Sequence, residues 1–130
     1  SIGKYQQPKY VPVKIGNATL NAEVADTFAK QVRGLMFRES LAKNDGMLFV
    51  FGSEARHSIW MMNTSIPLDI VWLDADKKVI YIKEKAEPCE ALMVCPSFSP
   101  ESDSRYVLEV SSGYAKRHGI KVGSVAKFDL

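Results

Sequence analysis

The chain has 130 residues, 46% of them hydrophobic and 25% charged, with a formal net charge of +2 from 17 basic and 15 acidic residues. That size and balance suit one hydrophobic core and exclude collagen-like, low-complexity and wholly disordered chains. The small, evenly spread charge disfavours an electrostatic commitment to nucleic acid or anionic lipid. The longest apolar runs, such as Met47–Phe51 and Ile70–Leu73, are strand-sized and far below the roughly 20 residues of a membrane-spanning helix. Two cysteines, Cys89 and Cys95, are too few for a disulfide scaffold or a zinc site built from thiolates. The chain opens on Ser1-Ile2-Gly3, without Met or a charged-then-apolar leader, and so reads as a mature segment after removal of a leader or anchor, or as a trimmed chain.

In chain order, residues 1–12 read as an extended N-terminal segment, polar from Lys4 and carrying prolines at 8 and 12, and residues 13–130 as a single globular domain. Val13–Ile15 and Thr19–Ala25 flank Gly16-Asn17, a dipeptide that tolerates positive φ, which predicts a β-hairpin. A helix capped by Asp26 or Thr27 follows, with Phe28, Val32, Leu35 and Met36 spaced to share one buried face and Gly34 available to end it. Asn44-Asp45-Gly46 is a turn into Met47–Phe51, an apolar strand covered on both faces. His57–Asn63 and Asp69–Asp74 predict two more strands divided by Ile66-Pro67, and a polar turn leads into Val79–Glu84. Short links of this kind favour antiparallel neighbours.

Residues 85–104 carry three prolines and both cysteines without sustained periodicity, which predicts a long loop that is functional or pinned by a cross-link. Arg105–Val110 is a strand with Tyr106, Leu108 and Val110 on one face and Arg105 and Glu109 on the other. Ser111 or Ser112 caps a short helix that stops at Lys116-Arg117-His118-Gly119, with cations and a permissive residue at its end. Val125–Phe128 closes the chain as a last strand. The fold class expected is α+β, with a mostly antiparallel, strongly curved, barrel-like β-sheet and two short helices.

The stretches Gly34-Leu35-Met36-Phe37-Arg38, Gly46–Phe51 and Trp60–Asp69 resemble the prokaryotic domain-of-unknown-function 192 family, and Arg105–Val110 and His118–Gly123 extend the likeness. The resemblance covers roughly residues 20 to 128 with its blocks in family order. Two positions depart from the usual family pattern, Met62 where a Lys is frequent and Ser124 where an Asp is. The resemblance implies no established biochemical activity. Because many members carry a secretion signal or membrane anchor, it implies a periplasmic or secreted setting in preference to a cytoplasmic one.

Trp60–Asp69 is the most informative segment for function. Pro67 forces a turn between the two predicted strands, so Asn63 and Asp69 can converge at one rim beside Trp60, whose indole can stack a flat or sugar-like ligand. The competing reading has Asn63 and Asp69 bonding the backbone of the turn they flank. Arg33 and Arg38 bracket the Gly34–Phe37 stretch and could present guanidinium forks to a carboxylate or phosphate, although pairing with Asp69 or Glu109 inside the fold is the commoner use of such residues. Glu109 and Asp69 could also form an acid–base pair.

His57 and His118 lack ligand-like neighbours, and no nucleophile elbow or phosphate loop is present, so neither a metal nor a cofactor is expected. Cys89 and Cys95 read as a structural disulfide, because Glu87 and Glu90 disfavour a reactive thiolate.

The function expected is that of an extracytoplasmic domain that binds a small molecule or polymer fragment, or serves as an accessory, through Trp60, Asn63, Asp69, Arg33, Arg38 and Glu109. The alternatives are a hydrolase or transferase using Asp69 and Glu109, and a protein–protein interaction module.

Overall fold

The computed structural model describes residues 7–90 and 92–130. Eight strands and two short helices occur along it: β1 (Tyr10–Ile15), β2 (Ala18–Ala25), α1 (Phe28–Arg33), β3 (Asp45–Ala55), β4 (Ile59–Trp60), β5 (Leu68–Leu73), β6 (Val79–Ala86), β7 (Ser97–Phe98), β8 (Ser104–Ser111) and α2 (Tyr114–Arg117). Six of the strands form one sheet in the order β1-β2-β3-β8-β5-β6, and β4 pairs with β7 in a separate two-stranded ribbon.

The predicted hairpin is present as β1 and β2 around Gly16-Asn17, and β1 takes in Tyr10–Pro12 from the segment expected to precede the domain. Gly16 has φ +58°, and a Cβ there would lie 2.2 Å from the carbonyl oxygen of His118. No side chain fits a backbone approach that close. The neighbouring Asn17 amide donates to the same oxygen at 2.9 Å, so the hairpin turn is seated on the end of α2.

The sheet is mostly antiparallel as expected, and mixed through one pair: β2 and β3 run parallel, which requires the long crossover through α1. One feature of the expected sheet is corrected: it is neither closed nor strongly curled, because β1 and β6 remain its two ends. The C-terminal segment lies between those ends. It bonds Lys14 of β1 through Lys127, and Lys77 and Val79 at the entry to β6 through Ala126 and Ser124, which leaves isolated bridges in place of the predicted strand Val125–Phe128.

Both faces of the sheet are covered, and alternate residues of its central strands serve two cores. On one face Leu48, Val71, Leu108 and Val110 pack with Tyr114 of α2 and with Phe128. On the other, Met47, Phe49, Ile70, Trp72 and Val107 pack with Leu35 and Met61. β5 is buried along its whole length, as a strand flanked and covered on all sides must be.

α1 departs from its predicted amphipathic role. The helix stops at Arg33, and Gly34 adopts φ +48°, so Leu35 is buried only after the chain has turned. Phe28 and Val32 are 82% and 51% exposed. A six-residue helix presents too little surface to bury a stripe, and the side chain of Gln31 ties it down instead by donating to the carbonyls of Ala25 and Val50. The strand expected over His57–Asn63 shrinks to Ile59–Trp60, because Asn63 takes φ +54° and leaves extended geometry.

Candidate functional site

A cleft of about 250 Å³ opens on the second face of the sheet, between α1 with the turn after it on one side and β4 with the segment up to Thr64 on the other. That is slightly below the usual range for sites that take drug-sized ligands. Glu109 lies at its floor. The side chain projects from β8, where Met47 of β3 and Ile70 of β5 are its direct cross-strand neighbours. A Cβ on Gly34 would stand 3.8 Å from Glu109 Oε1 and 3.4 Å from the Phe49 ring, so the carboxyl sits among glycine backbone and apolar groups. The residue is 4% exposed, and neither ion pair found among the described residues includes it. Burial pushes its pKa up from 4.5 to about 8, so the carboxyl is protonated at neutral pH.

Trp60 and Arg33 stand at the mouth of the cleft. Trp60 is 46% exposed, and Arg33 places its guanidinium 5.8 Å from the centroid of the Phe37 ring. Phe37 itself has φ +64°, uncommon for a bulky residue, and its amide donates to the carbonyl of Asn63, another left-handed residue. Asn63 in turn donates its amide to Cys89, and the residues on either side of it bridge Cys89. Phe37, Asn63 and Cys89 line a second, shallower hollow of about 530 Å³ that adjoins the first at Thr64. The Cys89–Cys95 disulfide is formed, with the two Cα atoms 5.8 Å apart, and pins the loop beside this hollow.

Of the six residues expected at the site, Trp60, Arg33 and Glu109 share the cleft and Asn63 lines its neighbour. Two do not belong. Asp69 does not converge with Asn63; it is buried on the opposite face of the sheet, where Oδ1 accepts from the Lys85 amide at 2.9 Å and Oδ2 from the Ala115 amide at 3.0 Å. Ile70 is the residue that pairs with Glu109, so its chain neighbour Asp69 must face away. The proposed Asp69–Glu109 acid–base pair therefore has no common cleft. Arg38 donates from Nη2 to both carboxylate oxygens of Glu23, at 3.0 and 3.1 Å, which makes it structural but with neither expected carboxylate.

Sequence reasoning missed the cleft walls contributed by Phe28, Val32 and Met36, because their spacing also satisfies a buried helix face. The two histidines have local structural roles. His57 stacks on Phe51 at 3.7 Å, and His118 bonds Asn17 at 3.0 Å. Among the described residues no three His, Cys, Asp or Glu side chains are grouped to hold a metal ion.

Fold and cleft define a small, mostly β domain with one buried acid open to a partly apolar pocket. Residues 11–128 match the profile of DUF192, described as an Uncharacterized ACR. The chain belongs to this uncharacterised family, whose members here are archaeal and bacterial. It is 29% identical over 112 residues to a UPF0127 protein of Thermococcus gammatolerans and 27% identical over 105 residues to one of Thermococcus kodakarensis. Those matches cover 85% and 79% of this chain, and 67% and 61% of the relatives.

Two crystal structures are similar over nearly the whole fold. One is a proposed transcription regulator from Sinorhizobium meliloti 1021, with a TM-score of 0.87 and 28% identity, covering 96% of this chain and 98% of that one. The other is a protein of unknown function from Novosphingobium aromaticivorans, with a TM-score of 0.85 and 30% identity, covering 98% of this chain and 96% of that one.

Proposed function

We propose that this chain is an extracytoplasmic small-ligand-binding domain whose site is the cleft between α1 and β4. One observation carries the reading: the carboxyl of Glu109, a residue only 4% exposed and in neither ion pair of the described residues, faces a small cavity whose mouth holds an exposed indole and an arginine. No buried side-chain oxygen among the described residues lacks a partner, so the Glu109 oxygens open onto the cleft, where a ligand can bond them in place of solvent. Trp60 supplies a flat apolar surface, and Glu109 a polar anchor at depth. The disulfide supports the extracytoplasmic setting, since such bonds persist in oxidising compartments.

Thermal-shift screening against sugar, nucleotide and organic-acid panels tests the reading. At least one class is expected to raise the melting temperature of the native protein, with the shift lost in Trp60→Ala. A screen without any ligand-dependent shift, or shifts indifferent to Trp60, counts against it.

The interaction-module reading keeps one specific support, the exposure of Phe28, Val32 and Phe37 around the same opening. A stable complex or self-association lost in Phe28→Ser, with no small-molecule shift, favours that alternative. The description of the Sinorhizobium relative concerns that protein. Here a ligand-sensing role is compatible with the cleft, whereas the net charge of +2 offers little to a nucleic acid.

A further inference from the structure

We infer that the ligand of this cleft is a small organic acid, with its carboxylate seated on Glu109, Arg33 as its counter-charge and its apolar part against Trp60. The inference rests on the binding reading above and adds the charge class of the ligand.

Among the described residues only two ionisable side chains line the cleft, Arg33 and Glu109. Met47 of β3 and Ile70 of β5 flank Glu109 across the sheet, Gly34 and the Phe49 ring lie beside its carboxyl, and Trp60 and Arg33 line the same cleft nearer its mouth. In these apolar surroundings the neutral carboxylic acid is the favoured form, and a neutral acid carries an O–H that must find an acceptor. Arg33 keeps its charge and has no acidic partner among the described residues.

At neutral pH the described residues of the cleft therefore offer a deep donor and a positive rim, with no negative charge. An ammonium ligand would have to ionise Glu109 where burial opposes it, beneath an arginine that repels the newcomer. A carboxylate oxygen instead accepts a charge-assisted hydrogen bond from Glu109, and Arg33 offsets the charge carried in. The rest of the lining, including Phe28, Val32, Met36 and Met62, suits a compact hydrocarbon or aromatic body.

Three probes with one skeleton test this on the intact, disulfide-bonded protein: phenylacetate, phenylacetamide and phenethylamine, titrated at pH 6 and pH 9.5 while the Trp60 indole N–H resonance is followed by NMR. Phenylacetate is expected to move that resonance at pH 6, to bind at least tenfold more weakly at pH 9.5, where Glu109 is ionised, and to lose at least fivefold in Arg33→Ala. Glu109→Gln, whose amide still donates, is expected to bind phenylacetate with that pH dependence removed.

Phenethylamine binding that tightens with pH overturns the inference while leaving the binding reading intact. Phenylacetamide binding without phenylacetate binding does the same, as does phenylacetate binding that ignores both pH and Arg33. Silence from all three probes counts against the organic-acid inference, and if the panel screen is also silent the binding reading fails with it.

Discussion

Glu109 occupies the strand at the centre of the sheet, yet its carboxyl faces a cleft and not a base. Its pKa of about 8, against 4.5 for the exposed group, means that the folded protein holds a proton the unfolded chain releases between those values. The stability associated with the neutral acid is therefore complete below about pH 4.5 and is lost progressively as pH rises to about 8. Each unit of separation corresponds to about 1.4 kcal/mol, so the loss amounts to a few kcal/mol at most. Glu109→Gln removes the ionisation, and its advantage over the native protein in urea unfolding is expected to widen by about 2 kcal/mol or more between pH 5 and pH 8.5. A difference that stays constant across that window would show that Glu109 does not carry the burden. Asp69 makes the contrast. It is as deeply buried, but two backbone amides bond its oxygens, so its role is to hold the end of β6 and the start of α2 to β5.

At the level of elements, turns and short helices place the cleft. α1 is too short to be held by its own propensity, and the two bonds from Gln31 fix its position over the cleft. The β1–β2 turn works in the same way on the opposite face, where Gly16 permits the approach of the His118 carbonyl. Gly16→Ala adds a Cβ 2.2 Å from that oxygen at a residue with φ +58°. It is expected to cost about 2 kcal/mol or more, because strain and a displaced backbone contact act together. Chemical denaturation measures the loss, and a melting temperature within one or two degrees of the native protein would contradict the assignment. Since the turn and the cleft lie on opposite faces, ligand binding by the folded variant is expected to be preserved.

For the whole molecule, two cores on one sheet separate support from recognition. The face carrying α2 and the C-terminal segment is a conventional packed core, and the other shares its apolar residues between packing and the cleft wall. The disulfide lies outside the six-stranded sheet and closes a loop over six residue steps. Loop-closure entropy for so short a loop is about 2 kcal/mol. Reduction is expected to lower unfolding stability by about that amount while leaving the far-ultraviolet circular dichroism of the sheet unchanged, as a titration with a phosphine reductant can show. A collapse of the β signal on reduction would mean that the loop supports the sheet, contrary to its position beside the second hollow and outside the six-stranded sheet.

Much of this was legible in the chain because it depends on neighbours in sequence. Gly16-Asn17 predicts its hairpin, Met47–Phe51 its doubly covered strand, and Arg105–Val110 an alternation that puts Glu109 opposite Leu108. The two cysteines in one long loop, beside Glu87 and Glu90, suggest the bridge. Trp60, Arg33 and Glu109 could be singled out by residue type, but not brought together. Their meeting depends on register between strands far apart in the chain, where a shift of one residue turns a side chain to the other face. The pairing of Ile70 with Glu109 opens Glu109 to the cleft and sends Asp69 to the opposite core. Local pattern thus names the candidate residues and most of the strands. The parallel β2–β3 pairing, the open sheet and the acid at the floor of the cleft are consequences of long-range packing, in which apolar burial and strand pairing outweigh the preferences of any single segment.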